Sequence, residues 1–358
     1  CTKHFNFVTS KKINMKYKFY ITSEKAWDAM LETIKSAQIY IFLEMYIFVD
    51  DIETNKFFEA LKERAEGGVK VKIVIDSFGS RELTSKIIEE IKNAGVELLF
   101  FSYFLKHTHK KILVVDSRVA YLGGVNIHKI FQKWNDLQLR ITGQMVKKIA
   151  RSFARTYQMC GGKDIFVLNH INKKTFFRKS EFRFLEHIQL GEKSRIKKHY
   201  KERIGLAKEK ITIVSPYFAP RRWLIGSLHQ AILRGVSVEI ILPQKSDSKI
   251  IDRVNYYYLL KFCPLGIKFY LQKEMIHAKA MTIDEKESFV GSQNIDLLSF
   301  DYLLEAGMFF TNKKMVADLS QIIQNWKNNS IIFDPKMYKK TWLDHIIAPV
   351  IRIFQSII

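Results

Sequence analysis

The sequence predicts an α/β fold built from two similar halves. A strand–helix–strand pattern occurs in each half of the 358 residues, and a set of polar residues recurs at a constant offset. Alternating strands and helices are typical of layered α/β proteins, and self-similarity at a long period indicates a duplicated unit. Hydrophobic residues make up 47% of the chain and charged residues 26%, a balance that indicates a globular protein.

The two copies of the strand–helix–strand pattern have nearly the same offset. The strand, helix and strand lie at 39–43, 57–65 and 67–75 in the first half, and at 211–214, 224–233 and 235–242 in the second. Tyr46 and Tyr217 are matching positions after the first strand of each half. Gly68 and Gly235 match at the start of the second strand, where glycine suits the end of the preceding helix.

The repeats divide the chain into a first repeat at 1–168, a connecting segment at 169–210 and a second repeat at 211–358. The connecting segment holds 13 Lys or Arg residues against 5 Glu residues, and it predicts a basic helix around 193–208. A solvated helix face and contact with an anionic membrane are both compatible with that helix. The apolar segment 342–358 is too short to span a membrane; it predicts a helix that docks on the core or lies in a membrane interface.

The chain is strongly basic. Its 58 Lys and Arg residues oppose 36 Asp and Glu residues, which gives a formal net charge of +22. Such an excess predicts an anionic partner, either a nucleic acid or an acidic membrane surface. The three cysteines have neither metal-site nor disulfide spacing, as expected for a reducing compartment. The best candidate for a membrane span, 37–49, is short and carries Glu44, so it is interpreted as a buried strand.

One pattern of polar residues occurs once in each half. The matching pairs, all related by one identical offset along the chain, are His109 and His277, Lys111 and Lys279, Asp116 and Asp284, and Asn126 and Asn294. A single His-x-Lys is common by chance. Two copies that match at all of these positions, inside a repeat of nearly the same offset, indicate a duplicated functional motif.

The residue types of this motif suit chemistry on a phosphodiester. His and Lys two residues apart on a strand point to the same face, so a pseudo-twofold arrangement of the halves would bring two His, two Lys and two Asn together. One imidazole then attacks phosphorus, while the other protonates the leaving oxygen and later deprotonates the acceptor. Lys and Asn stabilise charge on the phosphoryl oxygens. Phosphate binding without turnover is the alternative, but it does not require two symmetric histidines.

The duplicated motif resembles the HxKxxxxD signature of the phospholipase D superfamily, and the resemblance covers nearly the whole chain. The segments 41–48, 76–80, 215–220 and 294–299 are further similar to bacterial cardiolipin synthases, most of all to their short B type. Two positions depart from the usual pattern: Leu297 stands where Pro is common, and Gly124 stands where many relatives carry Ser. The resemblance implies that each half is a mixed β-sheet flanked by helices, and that the halves pack about a pseudo-twofold axis.

The resemblance also implies further site residues. Acidic partners downstream of the motif hold each histidine in the correct tautomer, and these are Asp136, which follows His109, and Glu305, which follows His277 at a nearly equal offset. Asp116 and Asp284 are then expected to anchor the motif strands through hydrogen bonds. The family mechanism implies a covalent phosphohistidine on His109, with His277 as general acid, and neither a metal nor another cofactor.

These features predict a phosphatidyltransferase similar to cardiolipin synthase that acts on anionic phospholipid, namely phosphatidylglycerol. A phospholipase D that hydrolyses phospholipid to phosphatidic acid, a nuclease of the same family and a non-catalytic membrane-binding protein are the alternatives. Nucleic acid is disfavoured as a partner because no nucleic-acid-binding module is recognisable. The expected location is the cytoplasm, peripheral on the cytoplasmic membrane, and both motifs on one chain are compatible with a monomer.

Overall fold

Two β-sheets organise the chain. The computed structural model describes residues 15–103, 106–172, 181–188, 194–338 and 349. Strands of the first half are β1 (Tyr17–Thr22), β2 (Tyr40–Met45), β3 (Lys70–Asp76), β4 (Glu97–Phe101), β5 (Ile112–Val115), β6 (Val119–Gly123) and β7 (Asn135–Thr142). Helices of this half are α1 (Ser23–Lys35), α2 (Ile52–Glu66), α3 (Ser85–Asn93), α4 (Met145–Met159) and α5 (Ile165–Asn172).

The second half repeats this series. Its strands are β8 (Phe182–His187), β9 (Lys210–Val214), β10 (Ser237–Pro243), β11 (Lys268–Gln272), β12 (Ala280–Ile283), β13 (Glu287–Gly291), β14 (Glu305–Phe310) and β15 (Ser330–Ile332). Its helices are α6 (Arg195–Leu206), α7 (Arg222–Leu233), α8 (Lys249–Phe262), α9 (Leu297–Asp301) and α10 (Lys313–Asn328). Short 3-10 turns lie at Lys129–Phe131, Cys263–Leu265 and Pro335–Met337.

The strand order shows the duplication directly. The first sheet has the order β1-β7-β6-β5-β2-β3-β4, and the second has β8-β14-β13-β12-β9-β10-β11-β15. In each sheet three adjacent strands are parallel to one another and the other pairings are antiparallel, so both are mixed sheets. The predicted α/β fold of two similar halves with mixed sheets is therefore confirmed.

The predicted connecting segment 169–210 contributes elements to the second half. Within it, β8 pairs with β14 along its whole length, as β1 pairs with β7 in the first half. The predicted basic helix is α6, which packs against α7. Residues 173–180 and 189–193 of this segment lie outside the described residues, as do residues 1–14 and most of the apolar segment 342–358.

Local sequence explains where α2 begins and where α2 and α7 end. Asp51 caps α2 by accepting hydrogen bonds from the amides of Glu53 and Thr54. Gly68 and Gly235 follow the ends of α2 and α7 with φ of 85° and 89°, a conformation that favours glycine. The glycines therefore end a helix just before a strand in both repeats, as predicted.

The hydrophobic core has three parts. An outer part lies between the first sheet and α1 to α3, and another lies between the second sheet and α6 to α8. The central part combines side chains of both sheets with those of α4 and α10, including Phe42, Phe153, Met308 and Trp326. Burial of this shared apolar surface stabilises the association of the halves.

Both sheets present the same end to the interface between the halves. Thr108, just before β5, forms a parallel bridge with Leu304, just before β14. Asn135, at the start of β7, forms a parallel bridge with Ile276, just before β12. We call this end the site edge: there the strands β2, β3, β9 and β10 end and the strands β5 and β12 begin.

Candidate active site

Both motif histidines lie at the site edge, in extended segments that lead into β5 and β12. The sequence predicted His109, Lys111, His277 and Lys279 on strands, but each strand begins one residue after the lysine. The reason is that these segments pair with the opposite half: the amide of His109 donates to the carbonyl oxygen of Leu304 at 2.8 Å. Symmetrically, the amide of His277 donates to the carbonyl oxygen of Asn135 at 2.7 Å.

Each histidine is paired with a carboxylate of the opposite half. His109 Nδ1 lies 2.9 Å from Glu305 Oε1, and His277 Nδ1 lies 2.7 Å from Asp136 Oδ2. Both carboxyl groups are almost completely buried. Such a contact to Nδ1 fixes the tautomer and leaves Nε2 for chemistry. The pairing is reciprocal across the interface between the halves, as expected for a pseudo-twofold axis.

Two buried lysines complete the polar centre. Lys111 Nζ donates to the carbonyl oxygen of His109 at 2.7 Å, and Lys279 Nζ donates to that of His277. Lys111 Nζ also lies 5.0 Å from the centre of the Tyr46 ring. Burial lowers the pKa of Lys279 to about 8 and that of Lys111 well below its ordinary 10.5, where the charge of Lys279 adds to the effect.

The two histidine–carboxylate pairs differ electrostatically. Burial, and then the charges of Lys111 and Lys279, hold the pKa of His109 well below 6.5. Burial also raises the pKa of its partner Glu305 to about 8. Both shifts favour the neutral forms of His109 and Glu305 over an imidazolium–carboxylate ion pair.

The pair of His277 and Asp136 favours a protonated imidazole more than the pair of His109 and Glu305 does. Burial and the charge of Lys279 lower the pKa of His277, but the charge of Asp136 opposes them. For Asp136 the effect of burial is outweighed by the charge and hydrogen bond of His277, and its pKa is lowered. Asp136 is therefore an anion that supports a protonated His277, whereas Glu305 gives His109 no comparable support.

Asn126 and Asn294 are buried in the loops that follow β6 and β13. Asn126 Oδ1 accepts a hydrogen bond from the amide of Ile47 at 3.3 Å, which leaves its NH2 group available as a donor. Asn294 hydrogen-bonds Asp296, and among the described residues its Oδ1 has no hydrogen-bond partner. Both loops reach the site edge, next to the two histidine–carboxylate pairs.

Asp116 and Asp284 lie away from the histidines, at the far ends of β5 and β12. Asp116 accepts hydrogen bonds of 2.8–2.9 Å from the amides of residues 38–40, just before and at the start of β2. Asp284 does the same for residues 208–210 before β9. The motif signature makes both candidate catalytic residues, with an expected role as anchors of the motif strands. Their hydrogen bonds hold neighbouring strands in register, and among the described residues none of these bonds goes to a motif histidine or lysine.

Several residues near the histidines were missed as site residues. The rings of Tyr46, Trp134 and Tyr217 contact the imidazoles, with centroid distances of 4.9 Å to His109 for Tyr46, and of 5.5 and 6.4 Å to His277 for the other two. The Ser292 hydroxyl donates to Glu305 and accepts from the amide of Ala306 at 3.1 Å. The paired tyrosines were visible as repeat positions, and that signal could have placed them at the site.

Among the described residues, no three His, Cys, Asp or Glu side chains are grouped as metal ligands would be. In the same part of the chain, no helix combines the length and the apolar character needed to cross a bilayer.

Comparison with known proteins gives the family. Residues 30–157 and 200–327 each match the family described as "Cardiolipin synthase, PLD-like domain", where PLD stands for phospholipase D. This chain belongs to that family. Its fold and paired motifs make it a phosphodiester transferase of the phospholipase D type, as the sequence predicted.

The relatives and solved structures agree with this assignment. The chain is 29% identical to a cardiolipin synthase of Clostridium perfringens over 329 residues, which cover 84% of this chain and 68% of that protein. It is 26% identical to a probable cardiolipin synthase of Bacillus subtilis, over 99% of this chain and 74% of that protein. The structure of phosphatidylserine synthase from Haemophilus influenzae superposes with a TM-score of 0.75 at 14% identity, covering 95% of this chain and 92% of that one. At that identity, the superposition shows the fold alone.

Proposed function

We propose that this cardiolipin synthase-like enzyme transfers the phosphatidyl group of phosphatidylglycerol through a covalent phosphohistidine. The observation that carries the proposal is the reciprocal pairing of His109 with Glu305 and His277 with Asp136, around two buried lysines. This centre provides two imidazoles in different electrostatic environments and two lysines for the phosphoryl oxygens. The cardiolipin synthases among its relatives supply the substrate class.

In the first step His109 Nε2 attacks phosphorus, and a P–N bond forms as the P–O bond to the leaving glycerol breaks. His277 gives its proton to the leaving oxygen. Lys111 and Lys279 stabilise the charge that develops on the equatorial oxygens. The pKa shifts support this division of labour, because burial and two lysines lower the pKa of His109 strongly, whereas the charge of Asp136 opposes the lowering at His277.

In the second step the hydroxyl of a second lipid attacks the phosphohistidine. His277 accepts the proton of that hydroxyl, the new P–O bond forms, and the P–N bond breaks to restore His109. Water in place of the lipid hydroxyl would give phosphatidic acid by the same route. The acceptor therefore decides between a transferase and a hydrolase. Because donor and acceptor are both lipids, we propose that the enzyme works at a membrane surface.

The test combines phosphoenzyme trapping with product analysis on phosphatidylglycerol vesicles, in the presence of EDTA. With a substrate that has an activated leaving group, His277→Ala still forms the covalent adduct because that step needs no acid. His109→Ala forms none. The matched control His128→Ala replaces a histidine that pairs with Asp51 and belongs to neither motif, and it behaves as the wild type.

Three results would contradict the proposal. An adduct on His277 with His109→Ala still competent would reverse the two roles. Turnover of nucleic acid without lipid turnover would identify a nuclease. Loss of activity in EDTA with recovery on addition of one divalent metal would show that the charges at phosphorus do not come from the lysines alone.

A further inference from the structure

The segment 107–111 has two faces, one toward the motif residues and one toward the interior of the first half. Thr108 Oγ1 donates to Glu44 Oε1 at 2.5 Å, and Lys110 Nζ lies 3.2 Å from Glu44 Oε2. Residues 108 and 110 therefore point into the first half. Because alternate residues of an extended segment share a face, His107 points to the same side as His109 and Lys111.

His107 is held by a buried carboxylate at the site edge. Its Nδ1 lies 3.1 Å from Asp76 Oδ1, and Asp76 is the last residue of β3. The other contacts of Asp76 are backbone amides that can only donate: those of Phe78 and Gly79 at 3.0 Å and that of Thr108 at 2.9 Å. An acceptor held in this way also accepts a hydrogen bond from His107 Nδ1–H, so in the neutral ring Nε2 carries the lone pair.

His107 is open to solvent, unlike His109. The side chain of His107 is 30% exposed and that of His109 is 8% exposed. The ring of Phe78, itself exposed, lies 5.2 Å from the ring of His107. His107 thus presents an oriented acceptor nitrogen beside an apolar ring at the mouth of the site, about 7 Å along the chain from His109.

This feature occurs on one side of the pseudo-twofold axis only. When the two motifs are aligned, Met275 occupies the position that matches His107. When β3 is aligned with β10, Pro243 occupies the position that matches Asp76. Neither side chain provides a hydrogen-bond acceptor of this kind. A transfer between two lipids needs different places for donor and acceptor, and this pair of residues makes the two sides of the site different.

We infer that His107, Asp76 and Phe78 form a subsite for the acceptor, which takes a vicinal diol such as the glycerol headgroup of the second lipid. His107 Nε2 accepts a hydrogen bond from the hydroxyl that does not attack, and Phe78 packs against the carbon chain. The neighbouring hydroxyl then attacks the phosphohistidine and gives its proton to His277. The inference rests on the proposed transfer reaction, and it explains how the site selects an alcohol in preference to water.

The experiment compares two soluble acceptors, glycerol and 1-propanol, with phosphatidylglycerol as donor. Propanol offers a hydroxyl for attack but lacks the second hydroxyl. In His107→Ala the KM for glycerol rises about 3- to 10-fold, the effect of one hydrogen bond, and hydrolysis increases relative to transfer. The KM for propanol and the rate of phosphoenzyme formation from an activated substrate stay as in the wild type.

Two further variants complete the experiment, a conservative replacement of His107 and a matched control. His107→Gln, whose amide reaches the position of Nε2, recovers part of the glycerol preference. His128→Ala removes the other described histidine–aspartate pair of the first half, with a side chain 20% exposed, and leaves the preference unchanged.

Each contradictory outcome has its own meaning. If the wild type makes no transfer product, the proposed function fails and the subsite has no reaction to serve. If the wild type transfers and His107→Ala keeps its preference for glycerol, the subsite assignment is wrong. An equal loss with glycerol, propanol and the activated substrate would also overturn it, since His107 would then only support the fold.

Discussion

At the scale of single residues, the two repeats differ just behind the histidine partners. Ser292 follows β13 and hydrogen-bonds Glu305, whereas Gly124 holds the matching position after β6. A Cβ atom on Gly124 would lie 2.2 Å from Asp136 Oδ1. The glycine in place of the common serine therefore leaves room for the carboxylate that holds His277. Ser292 therefore supports Glu305 by a hydrogen bond, and Gly124 leaves space for Asp136 because it has no side chain.

Gly124→Ala is expected to displace Asp136 and to impair His277. Loss of such a supporting contact typically costs about 10- to 100-fold in activity. Because His277 protonates the leaving group, the loss should be large with phosphatidylglycerol and small with an activated leaving group. Steady-state rates on both substrates measure the difference. Wild-type rates on both would show that Asp136 has room to move.

The pH dependence provides a second test at this scale. The pKa of Lys279 is lowered to about 8, so its positive charge is lost as the pH rises through that value. We expect kcat/KM to fall above pH 8, on the order of 10²-fold at most, the cost of losing one donor to the developing charge. Glu305 titrates in the same range. Lys279→Arg keeps its charge and should show a shallower fall; an identical profile would exclude the lysine as its cause.

At the scale of elements, a buried ion pair joins β2, the segment before β5 and α4. Lys110 and Glu44 are fully buried and 3.2 Å apart, and Lys110 Nζ also donates to Thr156 Oγ1 at 2.6 Å and Ser152 Oγ at 3.1 Å. In the second half, Ala278 stands in place of Lys110. Removal of one partner of such a pair leaves an uncompensated buried charge, while replacement of both costs far less.

Lys110→Met is therefore expected to lower the free energy of unfolding by about 3–5 kcal/mol. The double variant Glu44→Gln with Lys110→Met should recover much of the loss, because neither residue is then charged. Lys314→Met, at an exposed ion pair with Asp318 in α10, is the matched control and should change stability far less, because solvent screens the pair. Urea denaturation measures all three; equal effects at positions 110 and 314 would contradict the argument.

At the scale of the whole molecule, the net charge of +22 favours contact with anionic surfaces. We expect binding to phosphatidylglycerol vesicles to strengthen with the fraction of anionic lipid and to weaken with added salt. Each Lys or Arg near such a surface contributes about 1 kcal/mol at best, and salt screens it. Vesicle sedimentation at two ionic strengths, with zwitterionic vesicles as control, measures this. If binding depends on neither lipid charge nor salt, the basic residues are only solvated and do not contact the membrane.

Much of this organisation follows from the sequence by itself. The apolar strands, the helix-ending glycines and the motif repeated at a constant offset are local or periodic signals, and they predicted two α/β halves with paired histidines and lysines. Hydrophobic period and turn chemistry act over a few residues, so they can be read along the chain. The sequence predicted that the motif histidines and lysines lie on strands, but β5 and β12 begin after them. The reason is that the backbone amides of His109 and His277 donate hydrogen bonds to the opposite half.

What only the tertiary structure decided depends on contacts across the pseudo-twofold axis. Asp136 and Glu305 were expected from resemblance, but the nearly equal offsets along the chain could not reveal that each holds the histidine of the other half, 141 and 196 residues away. The positions of Asp116 and Asp284 and the pairing of His107 with Asp76 depend instead on packing within one half. The different electrostatics of the two histidines again arise across the axis, because burial and proximity of charges at the site exist only after the two halves have packed.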